Sequence, residues 1–324
     1  MKKIVRSLLF FFAHMFTTRK PDADIYSLAL DKAYRVGVPT YDGSGQAVHP
    51  SILVQDTAPR YIMAFTPYTD THDNVENPSV VISDDGLSFR EEKPGLNPLV
   101  PAPEFDHNDD PDLFFQNGKY SVLYLETKRP LNQTLFLLES TDRISWEKKE
   151  LFSASVNPEN HFFMLSPTYV EKGGMSYLFY VNRDGTEGYC IEYVTGKDIY
   201  SLDFTHRTSI RVNILPEDPW HLDIICHDNG YIMLLTVAKE GEQSTFYSLH
   251  LAESDDLIHW NICRNFFLPN CYRSSGFVED GILYIYLSKI YIPTARRKKW
   301  KILLYKTDIS ALQFATSHIR RDKA

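Results

Sequence analysis

A short motif recurs five times along this chain, and its spacing constrains the fold more than any other feature. In the clear copies, at residues 83–89, 140–146 and 254–260, Ser is followed two residues later by Asp and then, after four more, by an aromatic residue. Two weaker copies contain Asp198 and Asp308, with Phe204 and Phe314 six residues beyond. The aligned aspartates are separated by 57, 56, 58 and 52 residues. Such regular spacing predicts five repeats of one supersecondary unit.

The residues between the motif copies are typical of short β-strands separated by turns. In the second unit, apolar runs at 111–115, 120–125 and 134–138 surround the turn Asn117-Gly118, and Trp146 begins a fourth run. An antiparallel sheet of four strands cannot cover both of its faces, whereas five such sheets packed radially cover one another. The sequence therefore predicts an all-β fold, a five-bladed β-propeller with four-stranded antiparallel blades.

Two other architectures fit the pattern less well. Units of this length are too long for the coils of a parallel β-helix, and they are too uniform for a β-sandwich followed by an unrelated second domain. No Pro/Gly/Ser-rich linker divides the chain. We therefore expect one propeller domain over residues 40–315, preceded by an N-terminal segment (1–39) and followed by a C-terminal tail (316–324).

The N-terminal segment has a signal-like pattern. Lys2, Lys3 and Arg6 precede the apolar run 8–13, as in the first two regions of a secretory signal peptide. The run is too short to span a bilayer, so no clear transmembrane segment is predicted. No cleavage site of small residues follows it cleanly, and a helix packed on the domain or on a membrane surface is an equal alternative. Localisation, cytoplasmic or exported, stays open, as does the oligomeric state.

Charge and cysteine spacing exclude two classes of function. The formal net charge is −8, which opposes binding to nucleic acid because that role requires a basic surface. The four cysteines show no CxxC spacing, so neither a zinc site nor a disulfide framework is indicated. We expect no metal and no cofactor. The polar loop containing Asp73 and Glu76 is interpreted as solvated rather than cation-binding.

The candidate site follows from the inner strands of the propeller. Counting back from the motif aspartates aligns five polar residues at offsets of 36, 32, 32, 35 and 35: His49, Asp110, Ser166, His221 and Arg273. Because residues i and i+2 of a strand face the same side, Ser51, Asp112, Thr168, Asp223 and Ser275 are expected to share that face. Buried charges require partners or a ligand. The pattern therefore predicts a polar pocket at the propeller axis.

Residues 110–120 and 253–260 resemble the five-bladed propeller glycoside hydrolases of family 43 and its relatives, and the resemblance spans residues 40–315. It implies that Asp112 is the carboxylate that tunes the acid. The family's first-blade Asp, the general base, is replaced here by His49, and its fourth-blade Glu, the general acid, by His221. Family 117, a relative with the same fold, is known for a histidine in the acid role.

We therefore expect a glycoside hydrolase that acts on an oligo- or polysaccharide in the central pocket. His221, oriented by Asp223, is assigned as the acid, and Asp110 or Asp112 as the base. The remaining residues are assigned to substrate binding: His49, Arg273, Trp220, Ser166 and His107. Trp220 fits either sugar stacking or packing between blades. Two alternatives stay open, a non-catalytic carbohydrate-binding propeller and a polysaccharide lyase acting on a uronate-containing glycan.

Overall fold

The computed structural model describes residues 33–103, 106–128, 132–155, 162–185, 188–210, 212, 218–227, 230–238, 247–294 and 297–315. The signal-like run and the C-terminal tail lie outside the described residues. Within those ranges, no helix is long and apolar enough to cross a membrane. The helical elements of the described chain are four 3-10 turns: Thr69–Thr71, Asp73–Val75, Ile199–Ser201 and Ile309–Ala311.

The strands form five antiparallel sheets, which confirms the predicted all-β propeller. Blade 1 contains β2 (Ala47–Val54), β3 (Tyr61–Pro67) and β4 (Ser79–Ser83). Blade 2 contains β5 (Asp106–Gln116), β6 (Lys119–Lys128), β7 (Asn132–Ser140) and β8 (Glu147–Ser155). Blade 3 contains β9 (Met164–Lys172), β10 (Met175–Gly185), β11 (Gly188–Gly196) and β12 (Thr208–Ile210).

Blade 4 contains β13 (Asp218–His227), β14 (Gly230–Ala238), β15 (Tyr247–Ser254), β16 (Asn261–Ile262) and β17 (Leu268–Pro269). Blade 5 contains β18 (Cys271–Glu279), β19 (Ile282–Thr294), β20 (Arg297–Asp308) and β1 (Tyr34–Arg35). Each inner strand contacts the inner strands of both neighbouring blades, in the order β2, β5, β9, β13, β18 and back to β2. The five sheets therefore surround one axis.

The N-terminal strand β1 closes the ring. It pairs antiparallel with β20, where Tyr34 lies opposite Leu304, and becomes the outermost strand of blade 5. Gly37 then bridges to Ser88 of the first motif. Strands from both ends of the described chain thus share one blade, and the propeller includes part of the segment 1–39 that the sequence analysis treats as a lead-in.

The recurring Ser-x-Asp motif is a turn held by its own side chains. Asp85 Oδ1 accepts the backbone N–H groups of Leu87 and Ser88, both at 2.7 Å, and Ser83 Oγ accepts the Gly86 N–H at 3.0 Å. The bonds from Ser88 and Leu87 lower the pKa of Asp85 to about 2. The second and third clear copies form the same bonds. These aspartates are therefore structural.

The hydrophobic core of the described chain is divided into five clusters, each shared by two neighbouring blades. The motif aromatics extend these clusters. Trp260 is 4% exposed and packs into the cluster between blades 3 and 4, where its indole Nε1 donates to the Leu257 carbonyl at 3.0 Å. Trp146 makes the equivalent bond to Arg143 but is only half-buried.

This difference predicts unequal losses of stability at equivalent positions. Trp260→Ala is expected to lower the free energy of unfolding by about 3–5 kcal/mol, the usual cost of truncating a buried Trp. Trp146→Ala removes the same atoms from a half-buried site, so its loss is expected to be clearly smaller. Urea unfolding followed by circular dichroism measures both. Equal losses would contradict the assignment of Trp260 to an inter-blade core.

Candidate active site

Each of the five inner strands has a break in its pairing register at an equivalent position. In each strand the pairing register with its neighbour shifts by one residue, as in a β-bulge. The shifts occur at or beside the five aligned residues: His49, Asp110, Ser166, His221 and Arg273. The first three of these have φ angles of 52°, 50° and 50°, and each precedes a proline, which has no N–H to lose from the ladder. Bulges redirect side chains, and here they direct five of them to the axis.

Asp110 is the centre of this group. Its Oδ1 lies 3.5 Å from His49 Nε2, 3.4 Å from His221 Nδ1 and 3.3 Å from Arg273 Nη1. Its Oδ2 accepts the Ser166 backbone N–H at 2.8 Å. Burial alone would raise the pKa of Asp110, but His221, His49 and Arg273 together hold it well below the usual value. One ionised carboxylate of blade 2 thus contacts all four other blades.

His49 is fixed through its other ring nitrogen. Nδ1 lies 3.0 Å from Thr66 Oγ1 and 3.3 Å from Glu76 Oε2, while Nε2 is buried and has no hydrogen-bond partner in the described chain. Burial lowers the pKa of His49 well below its usual value and raises that of Glu76 well above. Glu76 is only 4% exposed, so the interpretation of its loop as solvated is wrong for this residue.

His221 is held in a similar way. Its Nδ1 lies 2.6 Å from Ser166 Oγ, and its Nε2 is buried without a partner among the described residues. The ring packs edge-on against Tyr272, with centroids 4.3 Å apart, and lies 5.2 Å from the ring of His49. Two imidazoles from blades 1 and 4 therefore each present an unpartnered nitrogen in the same buried region.

A second layer of side chains, two residues further along each inner strand, joins neighbouring blades. Every member bonds to the backbone of the next inner strand. From blade 1 to blade 2, Ser51 Oγ accepts the Leu113 N–H at 2.8 Å, and from blade 2 to blade 3, Asp112 Oδ2 accepts the Tyr169 N–H at 2.8 Å. From blade 3 to blade 4, Thr168 Oγ1 donates to the Leu222 carbonyl at 3.3 Å. Asp223 of blade 4 accepts the Gly276 N–H of blade 5, and Ser275 Oγ of blade 5 accepts the Ile52 N–H of blade 1 at 3.0 Å. The layer forms a closed ring around the axis.

Asp112 and Asp223 are the two carboxyl groups of this ring. Burial, with a contribution from Asp223, raises the pKa of Asp112 to about 7, and burial also raises the pKa of Asp223. Asp223 accepts the Ile224 N–H at 3.0 Å. The carboxylate in contact with His221 among the described residues is that of Asp110, and the orienting role expected of Asp223 stays a prediction.

His107 forms a separate cluster at the start of β5. Its Nδ1 lies 2.6 Å from Asp106 Oδ1 and its Nε2 lies 3.2 Å from Asp109 Oδ2. Burial alone would lower the pKa of His107, but Asp109, Glu76 and Asp106 raise it to about 10. Burial raises the pKa of Asp109, whose Oδ1 is buried without a partner in the described chain. A protonated imidazole thus holds a carboxyl group beside Asp110.

Trp220 packs among other side chains beside His221. Its ring centroid lies 5.8 Å from that of Tyr189 and 5.7 Å from that of Tyr247. The guanidinium of Arg183 lies over it at 5.6 Å, and the ring of His221 lies 6.3 Å away. This packing matches the structural alternative for Trp220, while sugar stacking stays a prediction.

The geometry at the axis fits a metal ion. His49, Asp110 and His221 each offer one ligand atom, and these atoms lie within 4.8 Å of one another. Each histidine also has a buried Nε2 without a hydrogen-bond partner in the described chain, and this supports the fit because buried polar atoms are normally hydrogen-bonded. Two nitrogens and one carboxylate oxygen suit Zn²⁺ and related divalent metals. No metal is expected from the cysteine spacing or from the polar loop of Asp73 and Glu76, and neither of those patterns includes His49, Asp110 or His221.

Glu76 and Tyr272 belong to this site, although the sequence analysis assigns neither to it. Glu76 lies outside any inner strand, so no offset count reaches it. Tyr272 directly precedes Arg273 in β18, and its position next to an aligned residue is the one signal that would identify it.

Comparison with known proteins supports the fold. No protein-family sequence model matches the chain. A curated relative, the A type blood N-acetyl-alpha-D-galactosamine deacetylase of Flavonifractor plautii, is 25% identical over 302 residues, covering 76% of this chain. The chain spans 39% of that relative's length.

Solved structures resemble the whole propeller. An N-acetylgalactosamine deacetylase from F. plautii, in complex with blood group B trisaccharide, has a TM-score of 0.72 at 18% identity, covering 86% of this chain and 95% of its own. A thermostable family-43 glycoside hydrolase has a TM-score of 0.62 at 14% identity, covering 87% and 96%. A family 117 glycoside hydrolase of Zobellia galactanivorans has a TM-score of 0.59 at 13% identity, covering 89% and 92%. The chain thus has the five-bladed propeller fold of families 43 and 117.

Arg273 provides a test of the axial charge cluster. It is 0% exposed, and its one hydrogen bond among the described residues is to Asp110, while its expected role in substrate binding stays a prediction. Arg273→Met leaves the Asp110 carboxylate without its cation. We expect the free energy of unfolding at neutral pH to fall by about 3–5 kcal/mol, as when one partner of a buried ion pair is removed.

The matched control is Arg60→Met, which removes an arginine from a surface ion pair with Glu279. Exposed pairs contribute little, so this change is expected to be far less costly. Urea denaturation of both variants measures the difference. An Arg273 variant as stable as the control would show that the axial carboxylates do not depend on this cation.

Proposed function

We propose that this protein is a metal-dependent hydrolase that removes the acetyl group from an N-acetylated amino sugar of a glycan. The observation that carries the proposal is the convergence of His49, Asp110 and His221, with an unpartnered imidazole nitrogen on each histidine.

The contacts behind these three residues support metal binding. Histidine ligands of metals usually donate their other ring N–H to a carboxylate or another oxygen, which fixes the tautomer and the ring orientation. His49 has Glu76 and Thr66 at its Nδ1, which leaves Nε2 as the ligand atom. His221 has the Ser166 hydroxyl at its Nδ1. Both rings are therefore oriented before any metal arrives.

The charge balance supports a cation in the same place. Five buried or half-buried carboxyl groups surround the axis: Glu76, Asp109, Asp110, Asp112 and Asp223. The cationic side chains facing them are Arg273 and the protonated His107. Ionising five such carboxyl groups together is unfavourable in a low-dielectric interior, which agrees with the raised pKa of Glu76, Asp109, Asp112 and Asp223, and a divalent cation would lower that cost.

Comparison with the F. plautii deacetylase supports the choice of reaction. Both the curated relative and the solved structure with the TM-score of 0.72 are described as N-acetylgalactosamine deacetylases of that organism. An acetamide is also a reasonable target for this site, because its carbonyl oxygen is polarised by a Lewis acid and its carbon is attacked by water. A divalent metal at His49, Asp110 and His221 would supply that polarisation and lower the pKa of water.

The chain's own residues would move the proton. Hydrolysis adds water across the amide C–N bond, so one proton passes from the water to the departing amine while acetate is released. Asp109 is suited to this transfer because burial raises its pKa and its Oδ1 has no partner in the described chain. His107 holds the other oxygen of Asp109 and so orients the carboxyl group.

Cleavage of a glycosidic bond is the second candidate, favoured by the fold shared with families 43 and 117. In that reaction two catalytic groups flank the sugar, with carboxyl groups about 5–5.5 Å apart in retaining enzymes and about 6.5–9.5 Å apart in inverting ones. His221 Nδ1 and Asp110 Oδ1 are 3.4 Å apart, which leaves no room for a sugar between them. This pair therefore supports the first candidate better.

Product analysis separates the two reactions. We expect glycans ending in N-acetylgalactosamine or N-acetylglucosamine to lose one acetyl group while keeping their length, as measured by mass spectrometry together with acetate release. Chelation should abolish the reaction, and added Zn²⁺ or Mn²⁺ should restore it. Asp109→Asn is expected to lower kcat by about 10²–10⁴ if it transfers the proton. Shortened glycans, or full activity after chelation, would overturn the proposal.

Metal affinity tests the role of Glu76 separately. Glu76→Gln keeps the shape of the side chain but removes the carboxyl group that lies 3.3 Å from His49 Nδ1 and accepts from Thr66 Oγ1. We expect the affinity for Zn²⁺, measured by calorimetry on the metal-free protein, to fall by about 10–100-fold. The control is Glu139→Gln, the same change at a carboxylate that pairs with Lys149 in blade 2. Unchanged metal affinity in the Glu76 variant, or an equal loss in both, would contradict this role.

A further inference from the structure

We propose that Arg183 forms a binding site for the anionic group of an acidic sugar next to the sugar on which the protein acts. The inference rests on the proposed function in one respect, that the axial pocket receives a glycan. It adds a substrate class, glycans that carry a carboxylate or a sulfate.

Arg183 lies at the end of blade 3 where β9 begins. β10 and β9 pair so that Asn182 is opposite Met164, and the Arg183 N–H donates to the Phe163 carbonyl at 2.8 Å. β9 then reaches Ser166 of the axial group three residues after Phe163. The backbone of Arg183 is therefore fixed at the same end of the blade as the site.

The guanidinium of Arg183 is held in one orientation although it is exposed. Its carbon lies 5.4 Å from the ring centroid of Phe163 and 5.6 Å from that of Trp220, and its Nε donates to the Tyr189 hydroxyl at 3.0 Å. Trp220 in turn lies 6.3 Å from His221. Neither terminal NH₂ group has a hydrogen-bond partner among the described residues, and Trp220 is the one side chain between this guanidinium and His221, a proposed metal ligand.

Arg183 makes no ion pair with any described residue. The other described arginines that lie against an aromatic ring each make one. Arg60, Arg143 and Arg207 each pair with a glutamate. The formal net charge is −8, so acidic side chains are abundant. An arginine that is oriented by aromatic contacts yet unpaired retains its capacity for a bidentate bond to an anion.

Acidic side chains of blades 1 and 2 would give a bound glycan a direction. Asp73 and Asp106 lie with His107 where these two blades meet, and Asp109 follows His107 by two residues. These carboxylates repel an anionic sugar. Arg183, on blade 3, attracts it. An acidic glycan would therefore enter with its anionic sugar against Arg183 and its acetamido sugar at the axis.

Binding, rather than turnover, tests this inference. The probes are three disaccharides that contain N-acetylhexosamine, with a neutral hexose, a hexuronate or a sulfated hexose as the second sugar. We expect the intact chain to bind at least one anionic probe about tenfold or more tightly than the neutral probe, and Arg183→Gln to remove that preference while leaving neutral binding unchanged. Comparison of the hexuronate probe with the sulfated probe identifies which anion is recognised.

Two variants make the result specific. Arg60→Gln removes a positive charge at the opposite end of blade 1 and is expected to keep the preference. Arg183→Lys keeps the charge but loses the planar fork, so it should keep only part of the preference. The inference is overturned if the intact protein binds all three probes equally, or if Arg183→Gln retains the full preference. If the preference holds but no acetate is released, the proposed reaction fails and the anionic subsite stands.

Discussion

The carboxylate of Asp110 lies where all five blades meet. It belongs to blade 2, and it contacts His49 of blade 1, Ser166 of blade 3, His221 of blade 4 and Arg273 of blade 5. A carboxylate that is 0% exposed is stable only when its charge is compensated. Its partners come from the four other blades, so this compensation requires the closed ring of blades. The closure of the propeller and the geometry of the site therefore depend on the same group.

The second layer of the axis joins neighbouring blades. Its five side chains form hydrogen bonds from each inner strand to the backbone of the next. These bonds fix the distance between neighbouring inner strands, and therefore between the bulged residues two positions earlier in each strand. Asp112 and Asp223 are members of this layer, and their raised pKa values follow from burial rather than from any contact with His221. The structure thus separates the polar axis into one layer that carries the candidate chemistry and one that holds the blades together.

The sequence predicts the repeat, the blades and the residues that meet at the axis, because motif spacing and strand offsets are local properties of the chain. It does not predict Glu76, which reaches the site from a 3-10 turn and loop rather than from an inner strand. Nor does it predict how the layers divide. Because side chains alternate between the two faces of a strand, Asp110 and Asp112 are expected on the same face. The β-bulge at Asp110 breaks this alternation, and Asp112 instead forms hydrogen bonds with Ser51 and Tyr169, which Asp110 does not contact.

The replacement of two carboxylates by histidines is what gives this propeller its proposed chemistry. In place of an acid and a base on opposite sides of a sugar, His49 and His221 lie against one carboxylate and present nitrogens without partners. A shared fold does not fix the reaction, since function depends on the site that the fold carries. We therefore interpret the axis as a metal centre on a glycoside-hydrolase propeller.

Anomalous diffraction from crystals grown with Zn²⁺ or Mn²⁺ tests this interpretation most directly. The account predicts one strong anomalous peak at the axis, within bonding distance of His49, Asp110 and His221, which disappears in crystals of Asp110→Asn. A map with no peak among these three residues, or with a peak confined to the cluster of Asp73, Asp106 and His107, would contradict it.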